Sequence, residues 1–173
     1  MSSKGERQLR GNMNAGILRI DMKRGQRIYL DVCCLNRPFD DLSQERVRLE
    51  AEAVKSVLVY LGRRYWLGIG SGAIDFEVSQ MANPDRHLEV SLIVADFPEY
   101  VSVGEPELLR GFELERYGFG ALDALHLACA EKACADIFLT TDDALLRRAL
   151  KTESSLSVRV SNPWAWLEEV LRR

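Results

Sequence analysis

The sequence is most informative at Gly120-Ala121-Leu122-Asp123-Ala124-Leu125-His126-Leu127-Ala128-Cys129-Ala130. These residues predict a helix that is apolar on nearly every face, and such a helix is buried on most sides. Burial of an ionised carboxylate is costly unless the group is paired or binds a cation. Asp123 has only His126 as a basic neighbour within a helical turn. Asp123 therefore indicates either a metal ion shared with other carboxylates, or a structural role as a helix cap or as the partner of a nearby hydroxyl group.

Two more carboxylates follow stretches that are typical of strands. Arg27-Ile28-Tyr29-Leu30 favours a strand that leads into Asp31, and residues 137–140 favour a strand that leads to Asp142 and Asp143. Open α/β sheets bind ligands outside the carboxyl ends of their strands. Each residue also has a structural interpretation, because an Asp at a turn or at a helix N-terminus satisfies backbone N–H groups.

The fourth carboxylate lies in a helix that follows a predicted strand and that Ser71 is expected to cap. Asp75 and Glu77 are two residues apart in this helix, so their side chains face different sides. We expect Glu77 to turn inward because it lies between two apolar residues, Phe76 and Val78.

These acidic residues are expected to converge on one cleft, since each lies near the carboxyl end of a strand or in the helix after it. Carboxylates that lie close together raise one another's pKa, so the cluster stays fully ionised only with a bound cation. Oxygen ligands select hard cations. The prediction is a Mg²⁺ or Mn²⁺ site formed by Asp31, Glu77, Asp123 and Asp142.

Strand-like and helix-like stretches alternate along the chain, which predicts a parallel sheet between helical layers. The expected fold class is α/β, a single three-layer domain with about five mainly parallel strands and helices on both faces. The predicted strands lie at 27–31, 66–69, 100–103, 137–140 and 156–160. The predicted helices lie at 43–61, 71–81, 83–97, 106–117, 120–133 and 144–150, with a last helix from Pro163 that Asn162 caps. A loop through Asn36-Arg37-Pro38 joins the first strand to the first helix.

The acidic motifs resemble those of the PIN-domain nucleases. The similarity rests on Leu30-Asp31, an acidic residue in a middle helix, Asp123-Ala124-Leu125-His126-Leu127-Ala128, and Leu139-Thr140-Thr141-Asp142. It extends over residues 28–166, and the run 31–41 is similar to one bacterial subgroup. The resemblance implies metal-dependent cleavage of RNA, often by the toxin of a toxin–antitoxin pair of the VapC type. It also implies that the catalytic and metal-binding residues are Asp31, Glu77, Asp123 and Asp142, with Thr140 supporting the last Asp.

One position departs from the family pattern. Many PIN domains have Asn or Ser two residues after the first Asp, where this chain has Cys33. Asn36 is the candidate for a similar polar contact.

The function has a second interpretation, a PIN-like module that binds a protein or RNA without cutting it. The presence of all four acidic residues argues against this alternative. His126 is either a packed core residue, which is the commoner case, or a general base or ligand. Without a well-placed catalytic His, a metal-bound water is the expected nucleophile, because metal binding lowers its pKa.

Composition and charge agree with one globular domain. The chain has 173 residues, of which 47% are hydrophobic and 28% charged, and no apolar run approaches the roughly 18 residues of a membrane span. With no apolar leader core near the N-terminus, we expect a cytoplasmic location and no membrane partner. Residues 1–27 carry seven basic and two acidic side chains, a net charge of +5. Because the whole chain has a net charge of −3, residues 28–173 have a net charge of −8. An acidic body argues against broad, nonspecific coating of nucleic acid.

Assembly is suggested by the helix at 83–97, whose apolar residues are more widely spread than one core contact requires. Toxin-type PIN domains commonly pair and bind an antitoxin segment near the cleft. We therefore expect a homodimer, with this helix or the one at 43–61 at the interface. The alternative is that the wide apolar face is simply core.

The N-terminal extension generates a testable prediction. Residues 1–16 are polar and lack periodicity, and the first 21 residues together look unlike the rest of the chain, so we expect a disordered extension at 1–21 and a PIN-like domain at 22–173. A variant that begins at Met22 should unfold within a few degrees of the full chain, because the removed segment has no apolar face to bury. Thermal denaturation followed by circular dichroism measures this, and failure of the shortened chain to fold would contradict it.

Overall fold

A five-stranded parallel sheet organises residues 25–172, the part of the chain that the computed structural model describes. The strands are β1 (Arg27–Leu30), β2 (Leu67–Ser71), β3 (Glu99–Val101), β4 (Ile137–Leu139) and β5 (Val160–Ser161). Their order across the sheet is β3-β2-β1-β4-β5, and each neighbouring pair is parallel. The predicted α/β class and the mainly parallel sheet of five strands are confirmed.

Helices connect these strands and complete the three-layer arrangement. In chain order they are α1 (Val32–Asn36), α2 (Glu45–Gly62), α3 (Gly72–Ser79), α4 (Pro84–Ala95), α5 (Glu105–Glu115), α6 (Ala121–Lys132), α7 (Asp143–Lys151) and α8 (Pro163–Leu171). Ser71 and Asn162 accept hydrogen bonds from backbone N–H groups as N-caps of α3 and α8, as their positions predict.

Two segments differ from their predicted form. The predicted loop after β1 is wrong, because the chain there forms α1 and then a 3₁₀ turn at Arg37–Phe39. A helix of five residues is too short to display a helical period in the sequence. The last strand is also shorter than predicted: pairing with β4 begins at Val160, after a 3₁₀ turn at Glu153–Ser155.

The centre of the core lies between β1, β4 and α6. Ile28, Tyr29 and Leu30 of β1 have no solvent exposure. The Tyr29 ring stacks on Phe138 of β4, with ring centroids 5.2 Å apart and planes 10° from parallel. This packing holds the central strands, and the ring of Tyr29 with them, in a fixed position.

The strand order creates a crevice at the carboxyl ends of β1 and β4. From β1 the chain proceeds outward to β2 and β3 on one side, and it then returns to place β4 on the other side of β1. Connections diverge at such a switch point, and the crevice they leave is the usual ligand site of open α/β sheets. The residues just after β1 and β4 are therefore expected to line this crevice.

The N-terminal extension and the absence of a membrane span were also predicted. The proposed extension at 1–21 and the domain start at residue 22 lie outside the described residues. Within residues 25–172, no helix combines the length and apolarity needed to cross a bilayer.

Candidate metal centre

Asp31 lies at the centre of the crevice, directly after β1. Its side chain is 6% exposed, and its backbone N–H donates to the Leu139 carbonyl at the end of β4, 3.0 Å away. The Thr140 hydroxyl donates to Asp31 Oδ2 at 2.7 Å, and the Cys33 thiol donates to the same oxygen at 3.1 Å. Hydrogen bonds from neutral donors thus fix one carboxylate oxygen, and no described residue donates to the other, Oδ1.

Cys33 connects the ends of the two central strands. Its Sγ atom lies 3.1 Å from Thr140 Oγ1 and accepts a hydrogen bond from the Thr141 N–H at 3.2 Å. The polar contact expected of Asn36 is not found, because the Asn36 Oδ1 atom is buried without a hydrogen-bond partner among the described residues. The thiol takes that place. The sequence signal for this role was the position of Cys33 two residues after Asp31, where the chain departs from the family pattern that the resemblance implies.

Asp142 follows β4 and begins α7. Its Oδ1 atom accepts hydrogen bonds from the N–H groups of Ala144 at 2.6 Å and Leu145 at 3.0 Å, so the capping interpretation is confirmed. Its own N–H donates to the Thr140 hydroxyl at 3.1 Å. Thr140 therefore contacts Asp142 through the backbone and Asp31 through the carboxylate. The cap occupies Oδ1 of Asp142 and leaves Oδ2 as the oxygen able to face a ligand.

Glu77 enters the site from α3. Its Oε2 atom accepts a hydrogen bond from His126 Nε2 at 2.9 Å, whereas Asp75 turns away and accepts one from the Tyr100 hydroxyl at 2.6 Å. The expectation that Glu77 turns inward because both of its neighbours are apolar is wrong in its reason. Phe76 is 58% exposed and does not mark an inward face of the helix. The inward direction is set by His126 on α6, a contact that spacing within α3 does not reveal.

Asp123 lies in the first turn of α6. Gly120 is the N-cap of this helix and no side-chain cap bond is made, so the capping interpretation of Asp123 is wrong. Burial and the nearby charges of Asp31 and Asp142 raise the pKa of Asp123 to about 6. Glu77 adds a smaller contribution in the same direction. The four predicted acidic residues therefore lie close enough to influence one another electrostatically.

The chemistry of this donor set fits a hard divalent cation. Asp31, Glu77 and His126 each offer a ligand atom, and the three atoms lie within 4.8 Å of one another. Asp123 and Asp142 are not part of this group, and their link to it is the effect of Asp31, Asp142 and Glu77 on the pKa of Asp123. Among the described residues, no Lys or Arg forms an ion pair with Asp31, Glu77, Asp123 or Asp142. Basic side chains pair elsewhere, as in Arg46 with Asp143 and Arg110 with Glu131. The cluster keeps a negative charge that the described protein does not neutralise, which is the condition that favours Mg²⁺ or Mn²⁺.

Comparison with known proteins agrees with this geometry. The family model of the PIN domain matches residues 28–151. The structure is similar to the crystal structure of VapBC2 from Rickettsia felis bound to a DNA fragment from their promoter, with a TM-score of 0.50 and 14% sequence identity. That match covers 79% of this chain and 98% of the other, and at this identity it supports the fold alone. No curated protein matches the sequence. Because the family match covers most of the chain, and because the sheet is the parallel one predicted, this protein belongs to the PIN domain family.

Proposed function

We propose that this protein is a metal-dependent endoribonuclease. The observation that carries the proposal is that Asp31 and Glu77 meet at the switch point of a PIN-domain sheet, near enough to Asp123 to raise its pKa together with Asp142, and that no Lys or Arg among the described residues pairs with any of the four. In this proposal Mg²⁺ or Mn²⁺ is held by Asp31, Glu77, Asp123 and Asp142. When bound, such an ion supplies Lewis-acid stabilisation of charge on the phosphate and lowers the pKa of water.

The residues around the carboxylates have positioning roles in this proposal. Thr140 and Cys33 fix one oxygen of Asp31 by hydrogen bonds, so its other oxygen points consistently into the crevice. His126 is 1% exposed and both of its ring nitrogens are hydrogen-bonded. It is therefore poorly placed to exchange a proton with a substrate, and a direct general-base role is disfavoured.

We further propose that the protein is the toxin of a toxin–antitoxin pair, acting on RNA in the cytoplasm. The support is its PIN-domain membership together with the resemblance of residues 31–41 to a bacterial subgroup. The similar R. felis structure is that of VapBC2, which agrees with the proposal without deciding it. An antitoxin protein would then be the partner that covers the cleft.

A cleavage assay tests the catalytic proposal. Asp123→Asn should lower the rate of RNA cleavage at least about 100-fold, because it removes a charged ligand while keeping the shape of the side chain. Asp75→Asn is the matched control, since Asp75 is an exposed carboxylate bonded to Tyr100 outside the cluster. Fluorescently labelled RNA incubated with Mg²⁺ or Mn²⁺, with and without excess chelator, reports the rate.

Three results would contradict the proposal. Full activity of Asp123→Asn, or of the wild type in excess chelator, would exclude a metal mechanism based on this cluster. RNA binding without cleavage by the wild type in either metal would instead support the non-cutting PIN-like module.

The pKa of Asp123 predicts how stability changes with pH. This pKa of about 6 in the folded protein exceeds the unfolded value of about 3.9, so the folded state binds the proton more tightly. In the metal-free protein, the Asp123 contribution to the free energy of unfolding is therefore greatest below about pH 4 and decreases as the pH rises through about 6. Asp123→Asn should remove this dependence and raise the free energy of unfolding at pH 7 by about 1–2 kcal/mol.

Urea unfolding of both metal-free proteins at pH 5, 6 and 7 measures this difference. The difference in the free energy of unfolding between the variant and the wild type should increase as the pH rises. A gap that stays constant or narrows would show that Asp123 is not strained by its neighbours.

We also propose a homodimer in which α4 contributes to the interface. Leu88 and Leu92, one turn apart on α4, are 58% and 63% exposed, while Val90 is buried. Part of the wide apolar face predicted at 83–97 is thus core, and part is left on the surface. A second apolar surface surrounds a cavity of about 380 Å³ between α3, α5 and α6, where Phe112 is 62% exposed.

Light scattering at micromolar concentration tests this assembly. The wild type should show twice the chain mass of 19.6 kDa, and Leu92→Glu should shift it to the monomer because a charge is then buried at the interface. Phe112→Glu is the contrasting variant on the other apolar surface. A monomeric wild type would exclude the dimer, and a dimer disrupted only by Phe112→Glu would place the interface on the α5 surface.

A further inference from the structure

A chain of buried hydrogen bonds leads from the core of the sheet to the acidic cluster. Ser71 Oγ lies 2.6 Å from the Tyr29 hydroxyl, which lies 2.8 Å from His126 Nδ1. His126 Nε2 lies 2.9 Å from Glu77 Oε2. Ser71, Tyr29 and His126 are each at most 1% exposed. We call these three side chains the buried chain, and it ends on a carboxylate of the proposed metal site.

Only one neutral arrangement of protons satisfies every member when Glu77 is ionised. A carboxylate can only accept, so His126 Nε2 must carry the proton and donate it. Nδ1 of a neutral imidazole is then an acceptor, and the Tyr29 hydroxyl donates to it. The Tyr29 oxygen in turn accepts from Ser71, whose own oxygen accepts from the Ile74 N–H at 3.2 Å. The hydrogen bonds thus select the Nε2–H tautomer of His126.

The three side chains of the buried chain are held rigidly, and their hydrogen-bonding groups all have partners. The Tyr29 ring is held by its stacking on Phe138, and burial raises the pKa of its hydroxyl well above the usual value, so the group stays a donor. Burying three polar side chains is favourable only when each is hydrogen-bonded, so rotation of the imidazole would leave at least two partners unsatisfied.

The buried chain links two of the proposed ligands. Tyr29 and Asp31 are two residues apart at the end of β1, so their side chains are expected on the same face of the sheet. Ser71 also caps α3, the helix that carries Glu77. The start of α3 and the carboxylate on it are therefore both tied to the strand that positions Asp31.

We infer that His126 is a positioning residue that orients Glu77 toward the cation: Glu77 selects its Nε2–H tautomer, and Tyr29 and Ser71 hold the imidazole ring in place. Partners that hydrogen-bond a ligating carboxylate fix its direction, and their loss typically weakens metal binding by about 10–100-fold. The part of this inference that concerns the cation rests on the proposed function. The part that concerns the tautomer does not, because it follows from the hydrogen bonds alone.

Tyr29→Phe is the sharpest test, because it removes only the hydroxyl and keeps the ring that stacks on Phe138. Long-range ¹H–¹⁵N NMR of the full chain should show the Nε2–H tautomer of His126 in both proteins, with the Nδ1 resonance shifted in the variant because Nδ1 has lost its hydrogen bond from Tyr29. Calorimetry with Mn²⁺ should show binding weakened about 10-fold. Tyr100→Phe is the matched control, since that hydroxyl also donates to a carboxylate but lies outside the cluster.

A second pair of variants separates positioning from packing. His126→Gln retains an N–H donor that can reach Glu77, whereas His126→Leu fills similar space without one. Mn²⁺ affinity should be closer to the wild-type value for Gln than for Leu, even if both variants unfold at a lower temperature. Equal loss in both variants would mean that His126 acts only through packing.

Three further results would overturn the inference. The first is an Nδ1–H tautomer in the metal-free wild type, and the second is unchanged Mn²⁺ affinity in Tyr29→Phe. The third is loss of the Nε2 proton on addition of Mg²⁺, which would make His126 a ligand rather than a positioning residue. Absence of Mn²⁺ binding by the wild type would refute the metal proposal together with the cation part of this inference, while the tautomer would still be tested by NMR.

Discussion

The repulsion among carboxylates beside the carboxyl ends of β1 and β4 is the constraint on which the site depends: Asp31 and Asp142 follow these strands, and Glu77 and Asp123 belong to α3 and α6. The strand order brings the residues after these two strands together. Such a meeting occurs in open parallel sheets at the point where the strand order reverses. The raised pKa of Asp123 reflects this proximity, since burial and the charges of Asp31 and Asp142 are its largest causes. A fold that keeps such charges close together gains most when a cation binds there, because the repulsion is then replaced by attraction.

The protein supports these carboxylates with neutral hydrogen-bond donors rather than with cations. Thr140 and Cys33 donate to Asp31, His126 contacts Glu77, and backbone N–H groups satisfy one oxygen of Asp142. A Lys or Arg in these places would neutralise the cluster and compete with a metal ion. Neutral donors fix the direction of each oxygen and leave its charge available, which is a suitable arrangement for a site that binds cations.

Cys33 and His126 show how support can differ among chains that share the same acidic residues. By the family resemblance, an Asn or Ser side chain is expected at the position of Cys33. The Cys33 sulfur contacts Thr140 and Thr141, and these contacts connect the end of β1 to the end of β4. His126 extends the support into the core through Tyr29 and Ser71. The acidic residues thus determine which kind of ion is favoured, while the residues around them determine how rigidly each oxygen is held.

The sequence alone determined the alternation of strands and helices, the N-caps at Ser71 and Asn162, and the positions of Asp31 and Asp142 just after their strands. These features depend on local periodicity, on capping chemistry, and on motifs that lie within a few residues of a strand end. Only the tertiary structure decided that Thr140 meets Asp31 and that His126 meets Glu77, because these contacts join residues far apart in the chain. The Cys33 contact with Thr140 spans 107 positions and that of His126 with Glu77 spans 49. The same limit explains why Phe76 is exposed beside an inward Glu77: the neighbours of a side chain are set by packing between elements, and no pattern within one helix records them.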